Sequence, residues 1–297
     1  MDDFIDIFVG ADRSQLMAVA VLEHSIRRHT ERRVRVCPLI DLELPEPEDP
    51  RQGSRTNFSF ARFAIPELKR FQGRALYLDA DMQVFRDIGE LWDIPIDGAT
   101  VAIQEELPEH AVAGHKVGAP AKRVKQSSVM LVDCARAHWD VAEIVGGLDG
   151  RYTYEQLMYE LCILPESEIR YAVPFAWNSL EHYDLETRLI HYTDMDTQPW
   201  VSPANRLGWL WLEEVRLMLA TCELVRADLE REIELGHFRP SLVRELDEAP
   251  HVHGWNAAAA QRYAELDRRA GFVKHAEVYR RKRIRAEAVK RYAAPAR

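Results

Sequence analysis

The sequence predicts an α/β fold in which a mostly parallel β-sheet is flanked by helices and followed by a helical C-terminal appendage. Short runs rich in apolar and β-branched residues, such as "FIDIFVG" at 4–10 and "ALYLD" at 75–79, alternate with longer segments of helical periodicity. Such runs are typical of strands buried on both faces, as in parallel sheets. After about residue 200 the strand pattern disappears and only helical periodicity remains.

The elements of the first two thirds are predicted in chain order. After the first strand, "QLMAVAVLEHSIRRH" is predicted to be a helix with Ser14 as its N-cap. "FSFARFAIPEL" is predicted to be a helix that stops near Pro66. The region 105–126 shows no clear period and contains Gly and Pro, so we predict a mobile loop that serves as a lid. The remaining strands are predicted at 34–40, 75–79, 99–104 and 128–134.

We expect a boundary between an α/β domain, residues 1–205, and a helical region, residues 206–297. Spacings of four and three predict one long helix that ends at Gly236. Its apolar stripe consists of Trp211, Val215, Met218, Cys222, Val225 and Leu229. Asn256 is predicted to cap another helix, and "YRRKRIRAEAVKRY" to form a basic one.

The composition and net charge of the chain restrict the classes of molecule that it is expected to bind. A net charge of −9 argues against nucleic acid, because neutralising phosphates requires a basic surface. The acidic start "MDDFIDIFVG" lacks the features of a signal peptide, and no apolar run reaches the length of a membrane span. Four scattered cysteines without a CxxC pair favour a reduced, cytoplasmic protein without structural zinc. The basic terminal helix is either a solvated face or a peripheral contact with an anionic membrane surface.

Two aspartates, Asp79 and Asp81, follow the buried strand "ALYL" with one alanine between them. Because ligands bind beyond the carboxyl ends of parallel strands, this pair and Ala11–Asp12 are expected at one edge of the sheet. Two carboxylates so close together cannot both remain ionised cheaply where water is scarce, whereas a divalent cation stabilises both. Such oxygen ligands suit Mg²⁺ or Mn²⁺. The alternative is a solvated strand-to-turn junction in which the aspartates only accept backbone hydrogen bonds.

An ordered series of segments over about residues 4–205 resembles the retaining glycosyltransferases of family 8, which have a GT-A fold and include glycogenin and lipopolysaccharide galactosyltransferases. The segments are "IFVGADRSQLMAVAVLEHSI", "FSFARFAIPEL", "GRALYLDADMQVFRDIGELWD", "SSVMLVD", "YEQLM", "PFAWNSLEHY" and "HYTDMDTQPW". Each match alone is weak, but their shared order is specific. The resemblance implies that residues 1–205 form a nucleotide-sugar-binding catalytic domain.

The resemblance also implies roles for individual residues. Asp79, Asp81 and His191 would hold Mn²⁺ or Mg²⁺ beside the ribose and diphosphate of the donor, and the imidazole favours Mn²⁺. The other implied donor or acceptor contacts are Ala11 and Asp12 on uracil, Arg62 on the diphosphate or the sugar-binding acids, Gln126 and Ser127 on the donor, Glu155 and Gln156 near the anomeric carbon, Asn178 on the acceptor side, and Gln198 where the family has lysine. Structural alternatives are an acid at a helix start for Asp12, a surface ion pair for Arg62, helix positions for Glu155 and Gln156, and a turn for Asn178.

The chain departs from the family pattern at several of these positions. Gln15 stands where a tyrosine often stacks on the base, and Gln126 and Ser128 replace Asn and Gly. The family's "DQD" becomes Glu155-Gln156-Leu157, and Gln198 replaces a lysine that is usually aimed at a phosphate. These changes bear on the donor sugar more than on the reaction class.

The resulting expectation is a metal-dependent retaining hexosyltransferase. It would move a hexose from UDP-glucose or UDP-galactose to a hydroxyl of a glycan, glycolipid or small molecule, by same-face substitution with a diphosphate oxygen as base. A non-catalytic relative that binds a nucleotide sugar or glycan is the first alternative. A haloacid-dehalogenase-type phosphatase is the second, although Gln83 and the position of the motif disagree with it.

Overall fold

The computed structural model describes residues 4–56, 58–106, 125–248 and 254–293. The predicted lid at 105–126 therefore lies almost entirely outside the described residues. Nine strands are described: β1 (Phe4–Gly10), β2 (Arg33–Pro38), β3 (Arg74–Asp79), β4 (Met82–Val84), β5 (Val101–Gln104), β6 (Val129–Asp133), β7 (Ile169–Val173), β8 (Ser179–Leu180) and β9 (Leu189–His191). The α-helices of the described part are α1 (Leu16–Arg28), α2 (Ile65–Leu68), α3 (Ile88–Trp92), α4 (Val141–Gly146), α5 (Tyr154–Glu160), α6 (Gly208–Ala220), α7 (Arg226–Glu234), α8 (Ser241–Glu248), α9 (Ala257–Arg269) and α10 (Ala276–Ala293).

The main sheet has the strand order β2-β1-β3-β6-β5-β7, which confirms the predicted α/β fold with a mostly parallel sheet. Strand β6 alone runs antiparallel to its neighbours β3 and β5, while the pairs β1–β2, β1–β3 and β5–β7 are parallel. The carboxyl ends of β1 and β3 therefore meet at one edge, where Gly10 pairs with Asp79. The Asp133 end of β6 lies at the opposite edge, because Asp133 pairs with Arg74 at the start of β3.

Both faces of the sheet are covered by apolar side chains, as two-sided burial of the strands requires. In β3, Ala75 and Tyr77 face one cluster, whereas Leu76 and Leu78 face the other. Gly10 permits a close approach in this layer, because a Cβ atom there would lie 2.2 Å from the Tyr77 hydroxyl. Glycine at the end of β1 thus leaves room for Tyr77 to reach the sheet edge.

A second, three-stranded sheet has the order β4-β9-β8 and explains how a distant histidine reaches the aspartates. Strand β4 begins one residue after Asp81 and pairs antiparallel with β9, so that Met82 lies opposite His191. The amide of Tyr192 donates to the carbonyl oxygen of Asp81 at 2.8 Å. This register places His191 directly beside the end of β3.

The helical C-terminal region shares a hydrophobic cluster with the sheet domain. Ala18 and Val21 of α1 pack in one cluster with Trp211, Val215 and Met218 of α6. A buried hydrogen bond also links α6 to α1: Glu214, which is 1% exposed, accepts from His24 Nδ1 at 2.5 Å. It also accepts from Arg28 Nη2 at 2.9 Å. The predicted boundary at residue 205 stays a prediction.

Two local predictions are wrong, and in a third the helix does end near Pro66, at Leu68, but for a different reason. Asp12, not Ser14, caps the first helical turn, because its Oδ1 accepts from the Ser14 amide at 2.8 Å. Pro66 does not end its helix but lies in the first turn of α2, where a missing amide hydrogen costs nothing. The single long helix from 208 onward is two helices, since Cys222 has a left-handed φ of 61° and Val225 is 53% exposed. The break turns the chain so that Leu224 and Leu229 both reach the core.

Candidate metal and sugar-nucleotide site

Asp79, Asp81 and His191 form a compact group at the carboxyl edge of the main sheet. One ligand atom from each lies within 4.8 Å of the others. The Nε2 atom of His191 is 3.1 Å from Asp81 Oδ1 and 3.9 Å from Asp79 Oδ2. The oxygen and imidazole donors fit a hard divalent cation, Mn²⁺ in particular. The three residues are therefore a candidate metal site.

The electrostatics of the group also fit a cation. Burial and the charge of Asp81 raise the pKa of Asp79, although Arg62 works in the opposite direction. Burial lowers the pKa of His191, but the carboxylates of Asp81 and Asp79 outweigh it and the pKa ends above its ordinary value. Each shift favours binding a proton at this place. A metal ion that replaces the proton on His191 Nε2 would supply the missing positive charge.

Asn178 orients the imidazole of His191 from behind. Asn178 is fully buried, and its Nδ2 donates to Gln104 Oε1 at 2.6 Å and to Ser128 Oγ at 3.1 Å. Its Oδ1 therefore has to be the acceptor for His191 Nδ1, 2.9 Å away. The proton on Nδ1 leaves the Nε2 lone pair free for a metal. Asn178 thus lies behind the site, not on the cleft wall that the predicted acceptor contact requires.

Replacing Asn178 with leucine is expected to weaken Mn²⁺ binding about 10- to 100-fold, because the imidazole loses the acceptor that fixes its tautomer. Asn178→Asp is the matched control, since it keeps an oxygen acceptor at the same position. Mn²⁺ titrations followed by electron paramagnetic resonance on folded protein measure the effect. Equal affinities for the two variants would contradict this role.

Asp79 is held by two further buried side chains. The Tyr77 hydroxyl donates to Asp79 Oδ1 at 2.6 Å, and Arg62 Nη2 lies 3.4 Å from the same oxygen. Arg62 Nη1 also donates to the carbonyl oxygen and the Oγ of Ser127, both at 2.8 Å. Arg62 is only 7% exposed, and its guanidinium lies 4.5 Å from the centre of the Tyr77 ring. It is therefore a buried, fixed cation beside Asp79 and not a surface ion pair.

A cleft of about 390 Å³ opens in front of these groups. Its polar lining combines the two aspartates with cations and neutral hydrogen-bonding groups, as a sugar diphosphate requires. The lining residues are Gln15, Arg55, Thr56, Phe58, Ser59, Arg62, Asp79, Asp81, Lys125, Gln126, Ser127, Ser128, Tyr154, Met158, Tyr159, His191, Thr193, Met195 and Gln198. The structure thus brings together Arg62, Gln126, Ser127 and Gln198 with the predicted metal ligands.

Gln198 contacts Asp81 directly. It is 1% exposed, and its Nε2 donates to Asp81 Oδ2 at 2.7 Å and to the carbonyl oxygen of Tyr192 at 3.0 Å. Its Oε1 is buried with no hydrogen-bond partner among the described residues. At this position the chain therefore supplies a neutral amide that orients Asp81.

Ala11 and Asp12 line a neighbouring pocket of about 370 Å³ and not the cleft itself. Asp12 is engaged as the cap of the first helical turn, in a reciprocal arrangement with the side chain of Gln15. From this turn Gln15 reaches the lining of the cleft.

Glu155 and Gln156 are not among the residues that line the cleft. Glu155 Oε1 accepts from Arg55 Nη2 at 2.8 Å and from Arg285 Nη2 at 2.7 Å. Burial works to raise the pKa of Glu155, but the hydrogen bond and charge of Arg285, together with Arg55, lower it overall. The Gln156 side chain accepts from the Thr153 amide at 2.9 Å and caps α5. The structure does not bring these two predicted catalytic groups to the metal ligands.

Sequence reasoning missed several residues at the cleft. Tyr154 and Met158 line it from one face of α5, and their i, i+4 spacing was the available signal. No sequence pattern indicated a role for Tyr77 or Arg55 at this site. His275 has a buried Nε2 without a hydrogen-bond partner among the described residues. Burial lowers the pKa of His275, and the nearby charges of Asp12 and Asp81 work in the opposite direction.

Comparison with solved structures defines the class of fold. The galactosyltransferase LgtC, solved in complex with donor and acceptor sugar analogues, aligns over 77% of this chain and all of its own, with a TM-score of 0.52 and 15% identity. The WbbM bifunctional glycosyltransferase aligns over 72% of this chain with a TM-score of 0.51 and 14% identity. This chain spans about half the length of WbbM, 50%. The fold is that of GT-A glycosyltransferases.

Sequence comparisons match one segment of the chain to a family. Residues 40–139 match the sequence model of glycosyl transferase family 8, and this segment contains Arg62 and both aspartates. Protein CDI of Arabidopsis thaliana is 28% identical over 228 residues, which cover 70% of this chain and 85% of that protein. These findings confirm the resemblance to glycosyltransferase family 8.

Proposed function

We propose that this protein is a metal-dependent retaining glycosyltransferase that transfers a hexose from a UDP-sugar to a hydroxyl acceptor. One observation carries the proposal: Asp79, Asp81 and His191 present ligand atoms within 4.8 Å of one another at the carboxyl edge of a GT-A sheet. The family match and the cleft in front of these residues support it. UDP-glucose or UDP-galactose is the proposed donor, and Mn²⁺ the preferred metal.

The three ligands would hold a Lewis acid that lowers the basicity of the departing diphosphate. Asn178 and Gln198 orient His191 and Asp81, and the charge of Arg62 opposes the rise that burial causes in the pKa of Asp79. Arg55 and Lys125 on the cleft wall can pair with donor phosphates. Among the described lining residues, Asp79 and Asp81 are the only carboxylates. This favours same-face substitution with a diphosphate oxygen as base, because a double displacement requires a separate nucleophile.

The second candidate is a non-catalytic relative that binds a nucleotide sugar or glycan. The placement of Glu155 and Gln156 favours it, since one is bound by two arginines and the other caps a helix. In this case UDP would bind with metal, but no UDP would be released from any sugar nucleotide.

A UDP-release assay with a panel of UDP-sugars is expected to show turnover with Mn²⁺ and at least a tenfold loss when EDTA removes the metal, about 1.4 kcal/mol or more of transition-state stabilisation. UDP binding without release would support the binding-only candidate. Phosphate release from simple monoesters with no UDP release would support a phosphatase and contradict the proposal.

In the described part of the chain, no helix combines the length and the apolar character that crossing a bilayer requires. The cytoplasmic location remains our proposal, supported by free thiols at Cys37, Cys134, Cys162 and Cys222. Peripheral membrane contact through α10 likewise remains a proposal.

A further inference from the structure

We propose that the C-terminal helix α10 forms an acceptor subsite that binds an anionic group, a phosphate above all, next to the catalytic cleft. The proposal rests on the function proposed above and names the chemical class of its acceptor. A groove of about 490 Å³ runs between α10 and the segment 54–55. It is lined by Ser54, Arg55, Arg281, Lys282, Arg285, Ala286, Val289 and Lys290.

The groove adjoins the cleft, since Arg55 lines both. On one side, Arg285 Nε donates to the carbonyl oxygen of Arg51 at 2.6 Å. On the other side, Lys274 Nζ donates to the carbonyl oxygen of Asp196 at 2.5 Å, and Lys282 Nζ lies 3.7 Å from the sulfur of Met195. Since Met195 also lines the cleft, α10 borders the cleft and the groove lies next to it.

The charge of the groove is unbalanced. Five of its lining side chains are cations and none is an acid. Three carboxylates form ion pairs with the arginines of the groove: Glu46 and Glu277 pair with Arg281, and Glu155 pairs with Arg55 and Arg285. Lys282 and Lys290 have no carboxylate partner among the residues that the structure describes. In the described part of the chain, two ammonium groups without a carboxylate partner lie beside three arginines, and such a set matches a phosphate better than a neutral sugar.

The basic residues of α10 therefore have a more specific use than a general basic surface. Arg281 and Arg285 point toward the body of the protein, where Arg281 donates to Ser54 Oγ at 2.9 Å. The aliphatic stems of the cations, with Ala286 and Val289, provide apolar walls, while their heads supply charge. An acceptor whose phosphate lies in the groove would place its neutral part at the Arg55 end, where the groove meets the cleft.

The test measures binding of glucose 6-phosphate and of glucose to the full chain with saturating UDP and Mn²⁺. We expect glucose 6-phosphate to bind at least about tenfold more tightly, and Lys282→Glu with Lys290→Glu to remove this preference, as loss of charge-assisted contacts predicts. The matched control is Arg283→Glu with Arg291→Glu, which makes the same change of charge on α10 at residues outside the groove and should keep the preference.

Equal binding of the two sugars, or an equal loss in both double variants, would overturn the proposal. Binding to anionic vesicles without a preference for glucose 6-phosphate would also overturn it, in favour of a membrane surface. UDP binding to the wild-type protein is measured first. If UDP does not bind with Mn²⁺, the proposed function fails; if UDP binds and the phosphate preference is absent, only the acceptor subsite fails.

Discussion

Asp79→Asn is expected to reduce metal-dependent UDP release by about a thousandfold or more, because losing a metal ligand removes several kcal/mol of transition-state stabilisation. The same change should lower the melting temperature only slightly, because Arg62 loses an ion-pair partner at 3.4 Å but keeps its two hydrogen bonds to Ser127. Burial and the charge of Asp81 raise the pKa of Asp79, so the fold gains nothing from its ionised form. The asparagine oxygen can still accept from Tyr77. UDP-release kinetics and thermal denaturation on the same preparation measure both effects.

Asp133→Asn is the matched control for this experiment. Asp133 also ends a strand of the main sheet, but β6 is antiparallel and places it at the opposite edge. Its Oδ1 accepts from the Ala135 amide at 3.0 Å, which an asparagine can maintain. UDP release should be unchanged in this variant. If Asp79→Asn unfolded the protein at the assay temperature, or kept metal-dependent UDP release, the role of Asp79 as a ligand would be contradicted.

Arg62→Met is expected to give the largest loss of stability, about 3 kcal/mol in the free energy of unfolding, because removing one partner leaves a buried charge uncompensated. Arg62 is 7% exposed and contacts Asp79 and Ser127 at once. Methionine has a similar length but supplies no charge and no donors. Urea denaturation at neutral pH measures the loss.

The double variant Arg62→Met with Asp79→Asn distinguishes the charge effect from a packing effect. If the uncompensated carboxylate dominates, the second substitution should recover a large part of the stability, so that the two changes are not additive. Additive losses would show that Arg62 acts through packing on Tyr77 and through Ser127. Activity should be absent in the double variant in either case.

The sequence was sufficient to predict five of the nine described strands, β1, β2, β3, β5 and β6, because their apolar runs are short and β-rich; β4, β7, β8 and β9 were not predicted. It also placed Asp79 and Asp81 at the sheet edge, since residues that follow a parallel strand have to lie there. The position of His191 next to the two aspartates could not be predicted from the local sequence pattern. Its position depends on the pairing of β9 with β4, a register between short strands more than 100 residues apart that local periodicity does not encode.

The failures share a physical origin in tertiary contacts. The predicted long helix breaks at Cys222, which has a left-handed φ of 61°, and Leu224 and Leu229 are both buried after this turn. The role of Glu155 was predicted from a family motif, but Arg55 and Arg285 bind its carboxylate, and Glu155 is not among the residues that line the cleft. Arg285 lies 130 positions downstream, so no local pattern could reveal this contact. The Asp12 carboxylate likewise accepts from the Ser14 amide and caps the first helical turn.

The central claim is that Asp79, Asp81 and His191 hold a divalent cation on which UDP binding depends. Calorimetric titration of UDP into wild-type protein and His191→Ala, each with and without Mn²⁺, tests it most directly. We expect Mn²⁺ to tighten UDP binding at least about tenfold in the wild type, or 1.4 kcal/mol, and to have little effect in His191→Ala. UDP binding that ignores Mn²⁺ in the wild type, or that responds equally in both proteins, would contradict the claim.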